Sequence, residues 1–137
     1  MWVDDYIGLE FEPNGRGVDD KYDCWGLVRK VYDDKLGIVL PSIEDIYVGN
    51  NATTYTNISD AMQQESLKWD QVESPKNYDV VLMRMHGELT FHVGIYIGEN
   101  MFLHIMKGIN STVEKTTSLK WQKRIAGYFR YNESGYT

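Results

Sequence analysis

Apolar positions recur with a helical period in the first half of the chain and with a strand period after residue 79. Cys24, Leu27, Val28 and Val31 fall at i, i+3, i+4 and i+7, the stripe of one helix face. Asp23 precedes the stripe as a plausible N-cap, and the helix is expected to run to about Asp34, with Gly37 as its stop and Pro41 beyond. A shorter helix fits residues 60–67, where Asp60 and Gln63 resemble a capping box and Met62 and Leu67 supply apolar contacts. Residues 41–58 look irregular, because Pro41, Gly49, Asn50 and Asn51 break any period. Residues 1–11, with Tyr6, Ile7, Leu9 and Phe11 among acids, read as a segment packed on the core. Residues 13–21 read as a loop of turn formers.

After Trp69 and Val72, a turn at Pro75–Asn77 leads into strands. They are expected at Asp79–Met85, Thr90–Ile97, Met101–Met106, Thr112–Glu114 and Ile125–Tyr131, with turns at His86–Glu88, Gly98–Asn100 and Gly108–Asn110. The tail after Asn132 is polar and expected to fray. Helices followed by an antiparallel meander indicate an α+β fold, and 137 residues without repeats or a linker indicate one domain over 1–137.

Composition narrows the function classes. Net charge is −6, which argues against a nucleic-acid partner. Residues 1–70 carry 14 acids and 6 bases, while 71–137 carry 6 acids and 8 bases, a division that fits two differently solvated faces or a partner surface. The single cysteine excludes an internal disulfide framework. No apolar run approaches the ~18 residues of a membrane span. Met1–Asp5 has neither a basic nor an apolar region of the signal-peptide kind, so synthesis in a cytoplasm is expected.

The chemistry centres on that cysteine. A thiol at a helix start meets unpaired N–H groups and the positive end of the helix dipole, which favour the reactive thiolate. It then needs a base, and the chain has three histidines: His86, His92 and His104. If Gly98, Glu99 and Asn100 form a three-residue loop pairing Ile97 with Met101, His104 stands opposite Gly94 and His92 opposite Met106. Both histidines then share one sheet face as diagonal neighbours. A two-residue loop would put them on opposite faces. The other face, Phe91, Val93, Ile95 and Ile97, is apolar core. Cys24 is then the candidate nucleophile and His92 the base, with His104 orienting the ring of His92 and the Cys24 N–H serving as oxyanion donor. The His86–His92 spacing fits no standard zinc pattern, and Asp19, Asp20 and Asp23 lack the glycine of a calcium loop, so no metal or other cofactor is expected.

The ordered set Asp23-Cys24-Trp25-Gly26-Leu27-Val28, Asp79-Val80-Val81-Leu82-Met83, His92-Val93-Gly94-Ile95-Tyr96-Ile97-Gly98 and Phe102-Leu103-His104 resembles the NlpC/P60 family over roughly residues 4–131. Gly15-Arg16, Leu40-Pro41 and Gly127-Tyr128-Phe129-Arg130 agree as flanks. The resemblance implies a papain-like fold and a cysteine peptidase. Its expected substrate is the stem peptide of bacterial peptidoglycan, cut at the D-γ-glutamyl–diamino acid bond by Cys24, His92 and His104. It implies substrate contacts from Asp23, which matches a position that can bind the substrate's amine and is equally an N-cap, and from Trp25, which replaces the serine of many cell-wall members. Trp25 also makes the chain most similar to the branch found in phage tail-tip proteins. That branch implies tail proteins as partners and a place in the virion tail after synthesis in the host cytoplasm. The alternative class is a structural tail-assembly protein whose site is inactive or only processes a partner. A third is an acyl- or amide-processing enzyme on a related fold.

Overall fold

The computed structural model describes residues 1–43, 60–86 and 89–136. The irregular stretch expected over 41–58 lies almost wholly outside the described residues, as do the centre of the turn at His86–Glu88 and the side chain of Phe91.

Helix α1 spans Cys24–Val31 and continues as a π-helical turn over Tyr32–Leu36. Its start is fixed by Asp23, whose side chain accepts from the Gly26 N–H at 2.6 Å. Its end is fixed at Gly37, in the left-handed conformation with φ 66°, whose N–H reaches the Asp33 and Tyr32 carbonyls. The apolar stripe is buried as its spacing requires, and Trp25 is buried beside it. Covering Leu27, Val28 and Val31 contributes roughly 1.5–3 kcal/mol each. A second helix, α2, covers residues 60–66. Met62 is buried there, but Leu67 is 79% exposed, because it lies in the turn past the last helical residue and leaves the packed face.

The strands are β1 (Glu10–Phe11), β2 (Lys21–Tyr22), β3 (Asp70–Val72), β4 (Val80–His86), β5 (Leu89–Gly98), β6 (Met101–Met106), β7 (Ile109–Lys115) and β8 (Ile125–Arg130). β1 and β2 form a small parallel pair. The others form one antiparallel sheet in the order β3-β8-β4-β5-β6-β7. The expected meander is β4 to β7; β8 then returns to the far side of β4, and β3 adds outside it. β3 has no sequence period and becomes a strand through its pairing with β8. A two-point ion pair ties β8 to the start of β4: Arg130 donates from Nε and Nη2 to the Asp79 carboxylate at 3.0 and 2.7 Å.

Both sheet faces are covered. Val80, Leu82, Val93, Ile95, Leu103 and Ile105 pack into the layer of α1. Val81, Met83, Tyr96 and Phe102 belong to a second cluster, closed by Trp121 from the segment between β7 and β8. Residues 1–11 pack on the core as expected and also shield the β7 edge: the Gly8 N–H reaches Ser111 O and the Ser111 N–H reaches Leu9 O, each at 2.9 Å. The expected frayed tail is instead docked. Glu133–Tyr136 forms a 3₁₀ turn, Tyr136 stacks on Tyr131 with centroids 5.6 Å apart, and its hydroxyl bonds Glu65 and Trp69. Among the described residues, no helix is long and apolar enough to cross a membrane.

Candidate active site

Two departures from the expected β5–β6 hairpin cancel. The turn is the two-residue Glu99–Asn100, with φ 52° and 60°, and it pairs Gly98 with Met101. That turn alone would slip the register and separate the histidines. A bulge between Tyr96 and Gly98 restores the lost residue, so Tyr96 pairs with Phe102 and Ile95 with Leu103. His92 and His104 therefore share a face, with His92 Nε2 only 2.8 Å from His104 Nδ1. Gly94 makes the approach possible. A Cβ there would stand 2.8 Å from Leu103 O and 3.2 Å from His104 Cβ.

The rings are buried and boxed in. Trp121 stacks on His92 at 6.0 Å and meets His104 edge-on at 5.0 Å. His104 Nε2 bonds a carboxylate oxygen of Glu114, which reaches from β7. The β6–β7 register explains this contact. His104 pairs with Thr112 and Phe102 with Glu114, which puts Glu114 on the histidine face as a diagonal neighbour.

Burial pushes the His92 imidazole well below its ordinary pKa; protonation of the neighbouring His104 would push the same way, as does the Lys120 ammonium. Burial also lowers His104, although the bond to Glu114 opposes it. Burial works to raise Glu114, but the Trp121 N–H and His104 outweigh it and hold the carboxyl below the usual range. That indole N–H lies near enough to favour the carboxylate, yet it closes no hydrogen bond among the described residues. At neutral pH the site therefore holds two neutral imidazoles and an anionic Glu114.

At the helix start, Cys24 is the first residue of α1 and is buried. Asp23 is fully buried, and its Oδ1 accepts from both Gly26 N–H and Arg16 Nη1, each at 2.6 Å. Burial raises its pKa against the pull of Arg16. Its Oδ2 has no hydrogen-bond partner among the described residues. Arg16 ties this corner together, donating also to the carbonyls of Gly15 at 3.0 Å, Ser42 at 2.9 Å and Ile43 at 2.9 Å. Gly26 admits the loop that carries Arg16, since a Cβ there would lie 2.0 Å from Gly15 O. Trp25 points into the core, its indole N–H donates to Pro41 O at 2.8 Å, and it walls an apolar cavity of about 20 Å³ with Met62, Trp69, Leu82 and Val93.

The predicted residues thus form two bonded groups, Asp23–Arg16 at the helix start and His92–His104–Glu114 across three strands. α1 packs on β5 and β6 through Val93, Ile95, Leu103 and Ile105, while His92 and His104 occupy the alternate positions of the same two strands. Among the described residues, no group of three or more histidine, cysteine or acidic side chains is placed to hold a metal ion. Sequence reasoning missed Glu114, Trp121 and the role of Arg16. Parity across the turn at Gly108 would have placed Glu114; Trp121 lies in a segment with no period.

Residues 8–130 match the profile of the NlpC/P60 family. The chain is similar to the murein DD-endopeptidase MepS/murein LD-carboxypeptidase of Escherichia coli K12, with 28% identity over 95% of this chain and 56% of that protein. It is also similar to the gamma-DL-glutamyl hydrolase of Bacillus subtilis strain 168, with 23% identity over 93% of this chain and 27% of that protein. It therefore spans about half or less of these relatives' lengths. A solved NLP/P60-family protein of Staphylococcus aureus Mu50 shares the fold, with a TM-score of 0.65 and 24% identity over 92% of this chain and 37% of that one. With the match running over nearly its whole length and the papain-like α+β architecture in place, the chain belongs to the NlpC/P60 family.

Proposed function

We propose that this chain is a cysteine peptidase that hydrolyses bacterial cell-wall stem peptides at the D-γ-glutamyl–diamino acid bond. The observation that carries the proposal is the direct contact between His92 and His104 on the strands against which the Cys24 helix packs. The relatives' murein peptidase and γ-glutamyl hydrolase activities support the substrate class. His92 takes the thiol proton of Cys24 at Nδ1. The thiolate attacks the scissile carbonyl, and the oxyanion forms beside the first N–H groups of α1, which have no intrahelical acceptor. His92 returns the proton to the leaving amine, and the thioester is released by water, again with His92 as base. His104 holds the ring of His92 and stabilises its charged form. Asp23 caps the Cys24 helix and holds Arg16, and Trp25 supports that helix from the core.

A L-Ala-γ-D-Glu-diaminopimelate peptide incubated with the protein should release fragments by mass spectrometry, and Cys24→Ala should release none. Equal product from the variant would remove Cys24 as the nucleophile. No product from the wild-type chain would favour the structural tail-assembly reading. The place in a phage tail rests on Trp25 following the cysteine, and mass spectrometry of purified tails tests it by the presence or absence of this chain.

A further inference from the structure

We propose that Glu114 is a positioning residue that fixes the tautomers of both histidines and thereby presents His92 Nδ1 as a base. This rests on the assignment of Cys24, His92 and His104 made above. An ionised carboxylate can only accept hydrogen bonds. His104 Nε2, bonded to Glu114, must therefore carry a hydrogen. A neutral imidazole has one N–H, so His104 Nδ1 is left as a lone pair. The 2.8 Å contact between this nitrogen and His92 Nε2 then requires the hydrogen on His92 Nε2. His92 in turn is left with its lone pair on Nδ1, the one ring nitrogen not engaged by His104. One carboxylate, two rings away, sets the direction of the whole chain.

Reversing the chain requires a donor where Glu114 stands. Both rings would then carry their hydrogen on Nδ1, and His92 would turn an N–H rather than a lone pair to its substrate-side position. The same carboxylate assists once the thiol proton has moved. His92 is then an imidazolium whose Nε2–H still points at His104, and Glu114 supplies the negative charge beyond it. Lys120 is the cation that acts on both rings, and Glu114 offsets it. The indole of Trp121 covers the pair and keeps water from competing for the ring nitrogens.

Glu114 is partly exposed, 28% at its side chain, so it can be replaced without opening the core. Long-range ¹H–¹⁵N spectra of protein labelled with ¹⁵N-histidine should show both His92 and His104 as Nε2–H tautomers at neutral pH. Glu114→Ala should populate the Nδ1–H forms and lower kcat roughly 10–100-fold with KM unchanged, the range seen when a metal-ligating histidine loses its outer hydrogen-bond partner. Glu114→Gln, whose amide oxygen still accepts, should recover part of the rate. A wild-type spectrum with the hydrogen on Nδ1 of either ring would overturn the proposal, and so would unchanged tautomers in Glu114→Ala. The spectra need no substrate. A wild-type chain with Nε2–H on both rings but no cleavage would uphold the role of Glu114 and count only against the peptidase reading.

Discussion

Arg16→Met isolates the electrostatics of the corner that starts α1. The substitution keeps an unbranched apolar stem but removes the guanidinium that faces a fully buried carboxylate. Asp23 would keep the Gly26 N–H as a donor and lose its only ion-pair partner among the described residues. Breaking a buried pair from one side costs about 3–5 kcal/mol at neutral pH. At ~3 °C per kcal/mol for a domain of this size, Tm should fall by roughly 9–15 °C. Part of the loss is independent of pH: the hydrogen bonds to the Ser42 and Ile43 carbonyls, about 1 kcal/mol each. The remainder depends on the charge of Asp23. Its folded pKa already lies above the ordinary carboxylate value because of burial, and without Arg16 it rises further. The folded state then holds the proton more tightly than the unfolded one. The penalty is accordingly absent below the unfolded pKa of about 3.9 and grows as pH rises toward the folded value. Thermal unfolding at about pH 4.5 and about pH 7.5 should show a smaller loss at the acid value. Adding Asp23→Asn to Arg16→Met should recover about 1–3 kcal/mol, because no buried charge remains. An equal Tm loss at both pH values, together with an additive double variant, would refute the reasoning.

Two further outcomes follow from the histidine face. Trp121 is fully buried against both rings, so Trp121→Ala should cost about 3–5 kcal/mol in denaturant unfolding while Trp121→Phe costs far less; similar midpoints for the two would mean that the indole is not a packing element. The His92 pKa is lowered by burial, by His104 and by Lys120, so the acid limb of kcat/KM should fall below the ordinary histidine value of about 6.5. Lys120→Gln should move that limb upward, and a limb at or above the ordinary value in the wild type would contradict the burial of a neutral base. The stability consequence has a fixed sign. The unfolded chain binds protons at His92 more readily than the folded one, so stability drops as pH falls through about 6.5 toward the lowered folded pKa.

What was legible in the sequence follows the strength of local periods. The α1 stripe, its Asp23 cap and its Gly37 stop sit in one stretch and needed no tertiary information. The same holds for β6, an apolar run whose bounds at Met101 and Met106 are set by the turn residues on either side. β3 was not legible because three residues carry no period and pair only once β8 is in place. The docked tail was missed for a related reason. Its polar composition predicts fraying, but Tyr136 is held by Glu65, Trp69 and Tyr131, none of them close in sequence except Tyr131. In the site, the histidine pair was legible through strand parity, although the loop length assumed for it was one residue too long. Glu114 needed the same parity carried across one more turn, and Arg16 needed a contact to Asp23 that no helical or strand period encodes.

The β5–β6 hairpin shows why the histidine pair depends on more than the identities of its two residues. Side-chain parity has period two, so a single insertion or deletion between His92 and His104 that no bulge or loop absorbs moves one ring to the far face. The chain tolerates a tight Glu99–Asn100 turn only because the bulge after Tyr96 compensates for it. The two features are therefore coupled, and changing one without the other is far more damaging than its exposed position suggests. An extra residue in β6 that neither the turn nor the bulge absorbs would set His104 on the opposite face of the sheet, in the present place of Ile105, and bring Leu103 to Glu114. Three ring nitrogens, His92 Nε2 and both of His104, would lose their partners, at about 1–3 kcal/mol each. The observed arrangement avoids that outcome by letting the hairpin absorb both irregularities at its exposed end. The stretch from His92 to Tyr96 stays in register, and a neutral, hydrogen-bonded pair of histidines can survive in an interior that disfavours charge.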